Sequence, residues 1–503
     1  MSLVLPRWLP WVLALSVLAG CGTHVVNPVT GKTERTVMDE RAELTEGKKA
    51  HEQVKQAYGV YNNPRLQAYV NEVGQKLAAQ SHRANIPWTF TVLDSPEINA
   101  FALPGGYVYV TRGILAYMES EADMAGVIGH EIGHVTARHG AQRATRQQNA
   151  GLGVLAATVL GVVLESQGVS GAAQMAGEVS QGVAAGYVAR YSREQELQAD
   201  TLGAEYLSRS QYSPSNMVDV IQVLKSQEQY AADVARAEGR EVAQGNSWLA
   251  SHPSNDERLA SIRRIAAQYK AGRYGDDGRQ RYLKMIDGMN FGESPDQGLT
   301  RGQNFYHAGL GIALTAPEGW RIQNAPDAVT LINAQADAAL KVVALPPNAG
   351  TNHEALLRSG FKATQGQVTR GQVNGFQATH FQGSRQTSNG QAQPFEATLV
   401  TGPQQRVYAL AYLAANAAAR KRALPALNQA EKSFRGLSAI DQRNARPWQV
   451  EVVRFPAGGF AELERRSARM PQADRQLRLL NGLYGNQNPL RPGDWVKLVV
   501  ERS

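Results

Sequence analysis

Two imidazoles and a carboxylate fall within five residues of this chain, His130-Glu131-Ile132-Gly133-His134, inside the stretch VIGHEIGHVTARH from Val127 to His139. On a helix, residues four apart share a face, so His130 and His134 can point two ring nitrogens at one metal ion. Glu131, one step round, then reaches a water on that ion. The chemistry this suits is metal-assisted hydrolysis: the ion lowers the pKa of its water to roughly 7 and polarises a carbonyl, and Glu131 moves the proton from the water to the leaving amine. A core helix with two incidental histidines has the same five letters, so the surroundings must decide.

The flanks are apolar and small, with Met124, Ala125, Val127, Ile128, Val135 and Ala137, as a buried helix requires. Glu119, Glu121 and Asp123 stand at its N-terminal end, where the helix dipole favours negative charge. A zinc ion needs a third protein ligand and an open fourth position. A third histidine six residues after His134 is excluded, because Gly140 stands there. Downstream, Tyr191-Ser192-Arg193-Glu194-Gln195-Glu196-Leu197-Gln198-Ala199-Asp200 opens a second helical run. Glu196 and Asp200 are again four apart, so this helix presents Glu196 to the metal and Asp200, a turn later, to the far nitrogen of His130 or His134, fixing its tautomer. Glu194 is the rival third ligand. His139 is read as a histidine beside the ligands or on the surface.

HEIGHVTARH followed by YSREQELQAD resembles the HtpX-like and Ste-type zinc metallopeptidases, metallopeptidase family 48. Asn99-Ala100-Phe101-Ala102-Leu103-Pro104-Gly105-Gly106 is similar to that family's segment ahead of the active-site helix, and Ser251-His252-Pro253-Ser254-Asn255-Asp256-Glu257-Arg258 to its His-Pro loop. The likeness runs from about Leu44 to Lys270. It implies a mainly α gluzincin-type metallopeptidase domain with a small β-sheet over 44–290, holding one zinc per chain. It also implies that Tyr107, Val108 and Tyr109 lie on an edge strand above the metal, free to pair with an extended substrate or with nothing. His252 is placed near the metal, where it could plug the open position, stabilise the oxyanion with Arg258, or merely cap a helix.

Residues 1–20 carry one basic residue, Arg7, then an apolar run from Trp8 to Ala19, and read as an export signal. Leu18-Ala19-Gly20-Cys21 resembles a bacterial lipobox, making Cys21, the one cysteine of the chain, a lipidation site. Gly22 after it suggests the outer membrane by the same resemblance. Residues 21–43 are then a lipidated tether, with turn signals at Asn27-Pro28 and Thr30-Gly31. Helices are predicted over Asp39–Tyr58 and Pro64–Ser81, and strands over Trp88–Leu93 and Gly106–Thr111. Gly151–Gly186, rich in small residues, reads equally as a close-packed helix pair or a lid, and its apolar part is too short to span a bilayer.

The chain has 503 residues, too many for one core. Gly288–Gln303 is a linker by composition. Residues 304–440 read as a small α+β domain, with strands at 311–320, 328–333, 340–345, 377–383, 396–401 and 406–413 and a closing helix at 415–434. Its opening Pro317-Glu318-Gly319-Trp320 resembles PsbP-like domains. Residues 447–503 resemble a LysM module, a βααβ fold that binds peptidoglycan-type glycans, although the usual Gly-Asp-Thr is absent near Phe455–Gly459. The fold class is therefore multidomain α+β. A net charge of +8 suits a place between anionic envelope layers. No nucleic-acid motif is present, and Arg138, Arg143 and Arg146 read as a solvated helix face. The whole points to a lipid-anchored zinc endopeptidase on the periplasmic face of the outer membrane, acting on unfolded or misassembled envelope proteins. An assembly factor or chaperone with latent proteolysis is the alternative.

Overall fold

A computed structural model describes residues 23–149, 191–237, 252, 256–387, 390–485 and 490–502. The export signal, Cys21, the Gly151–Gly186 stretch and the neighbours of His252 from 253 to 255 lie outside the described residues. No described helix is long and apolar enough to cross a membrane.

The first unit is built round the helix that carries His130. A hairpin of β1 (Thr23–Val26) and β2 (Thr33–Thr36) leads into α1 (Glu40–Tyr58), capped by Asp39, and α2 (Pro64–Ala78), capped by Asn63. A three-stranded sheet follows, of β3 (Thr89–Leu93), β4 (Ala100–Leu103) and β5 (Tyr107–Thr111). After α3 (Arg112–Tyr117) comes the central helix α4 (Glu121–Thr136), whose sixteen residues are all buried. Ser120 caps it by accepting from Asp123 N, and Glu121 and Asp123 place negative charge in its first turn. The second metal helix is α6 (Arg193–Arg209), started by a capping box between Ser192 and Gln195. Between them, α5 (His139–Asn149) begins at a sharp break. Helices α7 (Asn216–Ala237), α8 (Asp256–Gln268) and α9 (Arg279–Ile286) complete the layer.

Two expectations need correction here. Tyr107, Val108 and Tyr109 are not on a sheet edge. The strand order is β3-β5-β4, so β5 is central, parallel to β3 on one side and antiparallel to β4 on the other, and its backbone groups are committed to both. The edge beside α4 belongs to β4, Ala100–Leu103. Residues 23–36 are not a loose tether either. Asn27 Oδ1 accepts from Val29 N and Thr30 N, which closes the turn between β1 and β2, and Asn27 itself is 2% exposed.

The stretch predicted as a linker is docked. Arg112, 1% exposed, donates to Asn290 O and Gly292 O, and β6 (Asn290–Phe291) pairs with a strand of the last unit. After it, β7 (Leu299–Arg301), β8 (Asn304–His307) and β9 (Ile312–Thr315) begin a four-stranded antiparallel sheet. A seven-stranded antiparallel sheet has the order β10-β11-β12-β16-β15-β14-β13. Its strands are β10 (Arg321–Ala325), β11 (Ala328–Ile332), β12 (Ala338–Ala344), β13 (Ala363–Val373), β14 (Phe376–Gln386), β15 (Ala392–Thr401) and β16 (Val407–Ala414), with α10 (Ala417–Lys432) packed on β12 and β16. The strand β13 went unpredicted because ATQGQVTRGQV is polar on both faces and almost wholly exposed. β17 (Arg435–Gly436) closes the four-stranded sheet against β9.

The last unit runs β18 (Trp448–Arg454), α11 (Gly459–Arg466), α12 (Ala473–Leu480) and β19 (Trp495–Glu501), with β18 and β19 antiparallel. It shares one hydrophobic core with the first unit: Val450, Leu463, Leu477 and Val496 belong to the same cluster as Leu115, Tyr117 and Ile128. Its deepest contact is polar. Lys497, fully buried, donates to Ala116 O at 2.9 Å and Met118 O at 2.7 Å and pairs with Glu119 at 2.7 Å, just ahead of α4. Lys497→Met is expected to cost about 3 kcal/mol, since removing one partner strands buried acceptors. Urea unfolding of the two proteins measures it, and a difference below about 0.5 kcal/mol would refute the contact's importance.

Candidate metal centre

Close approach of α4 and α6 builds the site, and glycines permit it. A Cβ on Gly133 would meet Ala199 O at 2.8 Å, and one on Gly203 would meet His130 N at 3.0 Å. The variable positions of the HExxH pattern are therefore not free in this chain. Gly133→Val is expected to push the helices apart and weaken zinc binding at least tenfold, measured by competition with a chromophoric chelator; unaltered binding would show that the helices need not touch.

At this crossing His130, His134, Glu196 and His252 each offer one ligand atom, all within 4.8 Å of one another and all buried. His130 Nε2 lies 3.0 Å from His134 Nε2 and 3.6 Å from Glu196 Oε2. His134 Nε2 is 3.5 Å from Glu196 Oε1. His252 Nδ1 is 3.0 Å from Glu196 Oε1 and 3.2 Å from His130 Nε2. Ligands at zinc distances of about 2.0–2.1 Å on the corners of a tetrahedron sit about 3.3 Å apart. These five separations, 3.0 to 3.6 Å, lie near that value, drawing on both Glu196 oxygens, and the four residues as a group offer ligand atoms within 4.8 Å of one another.

Ionisation suits the same ion at His134 and Glu196, whereas at His130 burial is outweighed by Asp200, which draws the imidazole upward. Burial holds the His134 imidazole well below its ordinary range, leaving it neutral, as a ligand must be. Burial pushes the Glu196 carboxyl up, but its neighbours His252, Arg258 and His134 outweigh burial and keep Glu196 well below the usual range. Burial also opposes ionisation of Asp200, which Arg258 overcomes.

The remaining candidates fall as follows. Glu131, fully buried, has Oε1 at 3.6 Å from His252 Nε2. Asp200 Oδ1 lies 2.8 Å from His130 Nδ1. Glu194 is not in the ligand group; its Oε1 accepts from Gln198 Nε2 at 3.5 Å. Arg258 is taken up by the carboxylates: Nε donates to Asp200 Oδ2 at 3.0 Å, Nη2 to Asp200 Oδ1 at 2.9 Å, and Nη1 pairs with Glu196 Oε2 at 2.8 Å. The guanidinium clamps two carboxylates together, which fits poorly with donation to an oxyanion. Arg138 and Arg143 are not a solvated face. Arg138 pairs with Glu43, and Arg143 lies over the Tyr191 ring at 4.5 Å.

Two residues at the site, Tyr191 and Gln198, escaped the sequence reading, and His139, read as beside the ligands or on the surface, takes the first of those places. Tyr191 stacks on His134 with ring centroids 3.8 Å apart. His139 and Gln198 form a chain of hydrogen bonds behind the same ring. Their signal was their place within the two motif stretches, but helical spacing alone assigns them no partner. Beside the centre, Ala102, Leu103 and Pro104 share a small cavity with His134, Val135 and Tyr191, so the edge of β4 lies next to the ligands.

Residues 64–266 match Peptidase family M48. Over that stretch the chain is similar to the family M48 peptidases. Among curated relatives, the chain is 30% identical over 212 residues to the beta-barrel assembly-enhancing protease of Yersinia pestis, covering 41% of this chain and 40% of the relative. It is 28% identical over 213 residues to the protein of that name from Escherichia coli K12, covering 42% and 40%. It is 29% identical over 210 residues to the mitochondrial metalloendopeptidase OMA1 of Arabidopsis thaliana, covering 40% and 38%. The match thus spans about 40% of the length of these relatives. The solution structure of cyanobacterial PsbP from Synechocystis superposes with a TM-score of 0.21 at 12% identity, covering 28% of this chain and 98% of that one. At that TM-score the likeness sets neither fold nor function. Family M48 enzymes use zinc, and the buried donor group of this domain fits that ion.

Proposed function

We propose that the chain is a zinc-dependent endopeptidase of the bacterial cell envelope, acting on unfolded or misassembled envelope proteins and held latent by His252. The observation that carries this reading is the buried group of His130, His134, Glu196 and His252, whose ligand atoms lie within 4.8 Å of one another. Bound zinc would supply Lewis acidity and a water acidified to about neutral pH. His130 and His134 hold the ion through Nε2 and Glu196 through a carboxylate oxygen. Asp200 keeps the proton of His130 on Nδ1, so that Nε2 presents its lone pair. Glu131 takes the proton of the attacking water on a carboxylate oxygen and hands it to the departing amide nitrogen. The β4 edge, Ala100–Leu103, offers backbone groups to which an extended substrate could add as a strand, which favours unfolded chains.

His252 would take the position that a catalytic site leaves to water and substrate, since four protein ligands would make a closed site. Arg258, engaged with Asp200 and Glu196, leaves His252 as a plug rather than one of an oxyanion pair. His252→Ala is expected to raise cleavage of unfolded casein at least tenfold with one zinc retained. Activity equal to or below wild type would refute latency. Two of the similar proteins are named beta-barrel assembly-enhancing protease, which supports clients in the outer membrane.

Lipidation at Cys21 would hold the enzyme to the periplasmic face of that membrane. The βααβ unit over 447–503, read as LysM-like, is a second contact. A cavity of about 1410 Å³ between α7 and that unit is lined by Tyr484 and Trp495, aromatic surfaces of the kind that stack on sugar rings, and peptidoglycan is the glycan we assign to it. The competing role, a chaperone or assembly factor that holds clients without cutting, is favoured by the plugged state alone. It predicts that Glu131→Gln leaves cellular function intact.

A further inference from the structure

His134 has a buried partner that neither the motif nor the family match assigns. Its Nδ1 lies 2.8 Å from His139 Nδ1, and His139 is fully buried. The other ring nitrogen, His139 Nε2, lies 3.0 Å from Gln198 Oε1. That oxygen also accepts from Asn27 Nδ2 at 3.0 Å, across 171 residues of sequence. Had α4 run on, His139 would lie far round the helix from His134. Instead α4 ends at Thr136, Arg138 takes a left-handed backbone conformation with φ of 56°, and α5 starts at His139, turning that ring back onto His134. A non-glycine residue in that region is strained, and the pairing of Arg138 with Glu43 helps hold it there.

We propose that His139 is the positioning residue for the metal ligand His134, and that the N-terminal hairpin, through Asn27 and Gln198, fixes its tautomer. The proposal rests on the metal-centre reading above. Donor directions leave one consistent pattern. His134, binding through Nε2, carries its proton on Nδ1 and donates it to His139 Nδ1. His139 must then accept there and carry its own proton on Nε2, which donates to Gln198 Oε1. The amide of Asn27 donates to the same oxygen and so keeps Gln198 from turning its NH₂ toward His139. A reversed Gln198 would donate to His139 Nε2 and set a proton on each of two facing Nδ1 atoms. His130 is thus held by a carboxylate and His134 by a neutral chain that begins in the hairpin.

Asn27→Asp tests this with a side chain of the same size. The aspartate keeps the acceptor that closes the turn for Val29 N and Thr30 N, but cannot donate to Gln198. It would also face Glu34, to which Asn27 Nδ2 now donates at 3.0 Å, so Glu34→Gln accompanies it to keep that bond. The full chain is compared as wild type, Asn27→Asp/Glu34→Gln, His139→Ala and His139→Asn. Zinc affinity is read by chelator competition, and the geometry by the visible absorption of the cobalt-substituted protein; unfolding of the metal-free proteins checks the fold. The expected result is a 10- to 100-fold loss of zinc affinity in His139→Ala and about tenfold in the double variant, each with altered cobalt bands. His139→Asn, whose carbonyl can still accept from His134 Nδ1, should recover most of the loss. Folded variants with wild-type zinc affinity and cobalt bands would overturn the proposal. A wild type that binds no zinc would instead overturn the metal reading on which it stands.

Discussion

Glutamine in place of Glu131 is expected to lower the turnover of an unfolded substrate by about 10²- to 10⁴-fold, the range of a positioned general base. Zinc affinity should stay within a few-fold of wild type, because Glu131 is not among the clustered ligand donors. The comparison is made in the His252→Ala background, where the fourth corner is open and residual activity of the latent form does not limit the range. A joint fall in turnover and in zinc content would mean that Glu131 holds the metal rather than the proton. The size of the effect follows from chemistry and burial together. Glu131 is fully buried, and an isosteric amide there keeps the packing while losing the ability to accept a proton.

Arg258 carries the second large effect. Arg258, 8% exposed, lies between Asp200 and Glu196 and helps keep both ionised. Arg258→Met leaves two buried carboxylates without their shared cation, and removal of one partner from such a pair costs about 3–5 kcal/mol. Zinc returns positive charge to Glu196, so the loss should be largest in chelator-treated protein and shrink when zinc is restored. Urea unfolding of both proteins with and without zinc measures this. A destabilisation that is the same in both states would place the effect in packing of the side chain and not in its charge.

Much of the catalytic machinery was legible because helices impose a fixed period. Spacings of four bring His130 over His134 and Glu196 over Asp200, and the structure puts all four at one crossing. The near-contact that lets α4 meet α6 was not legible, since Gly133 and Gly203 look like ordinary small residues until the facing backbone is known. Strand order was misread for a similar reason. Tyr107–Tyr109 alternates as an edge or a central strand would, and only its pairing with both β3 and β4 distinguishes the two. The hairpin at 23–36 was hidden by its polarity. Its buried residues, Asn27 and Thr36, are polar, and the burial of Asn27 follows from hydrogen bonds to Gln198 and Glu34 rather than from an apolar pattern. Arg138 and Arg143 misled in the opposite sense, since their charge says nothing of Glu43 or the Tyr191 face waiting beside them. In the second half of the chain, apolar strands such as Ala328–Ile332 and Val407–Ala414 declare themselves, whereas β13 is held in its sheet by β14 alone.

The most direct test of the central claim is X-ray absorption at the zinc edge of the full chain, alongside His252→Ala. The account predicts one zinc per chain with three imidazole nitrogens and one carboxylate oxygen at about 2.0–2.2 Å, and one imidazole replaced by a lighter oxygen ligand in the variant. Zinc with two imidazoles in both proteins would contradict the plug, and no stoichiometric zinc in either would contradict the metal centre itself.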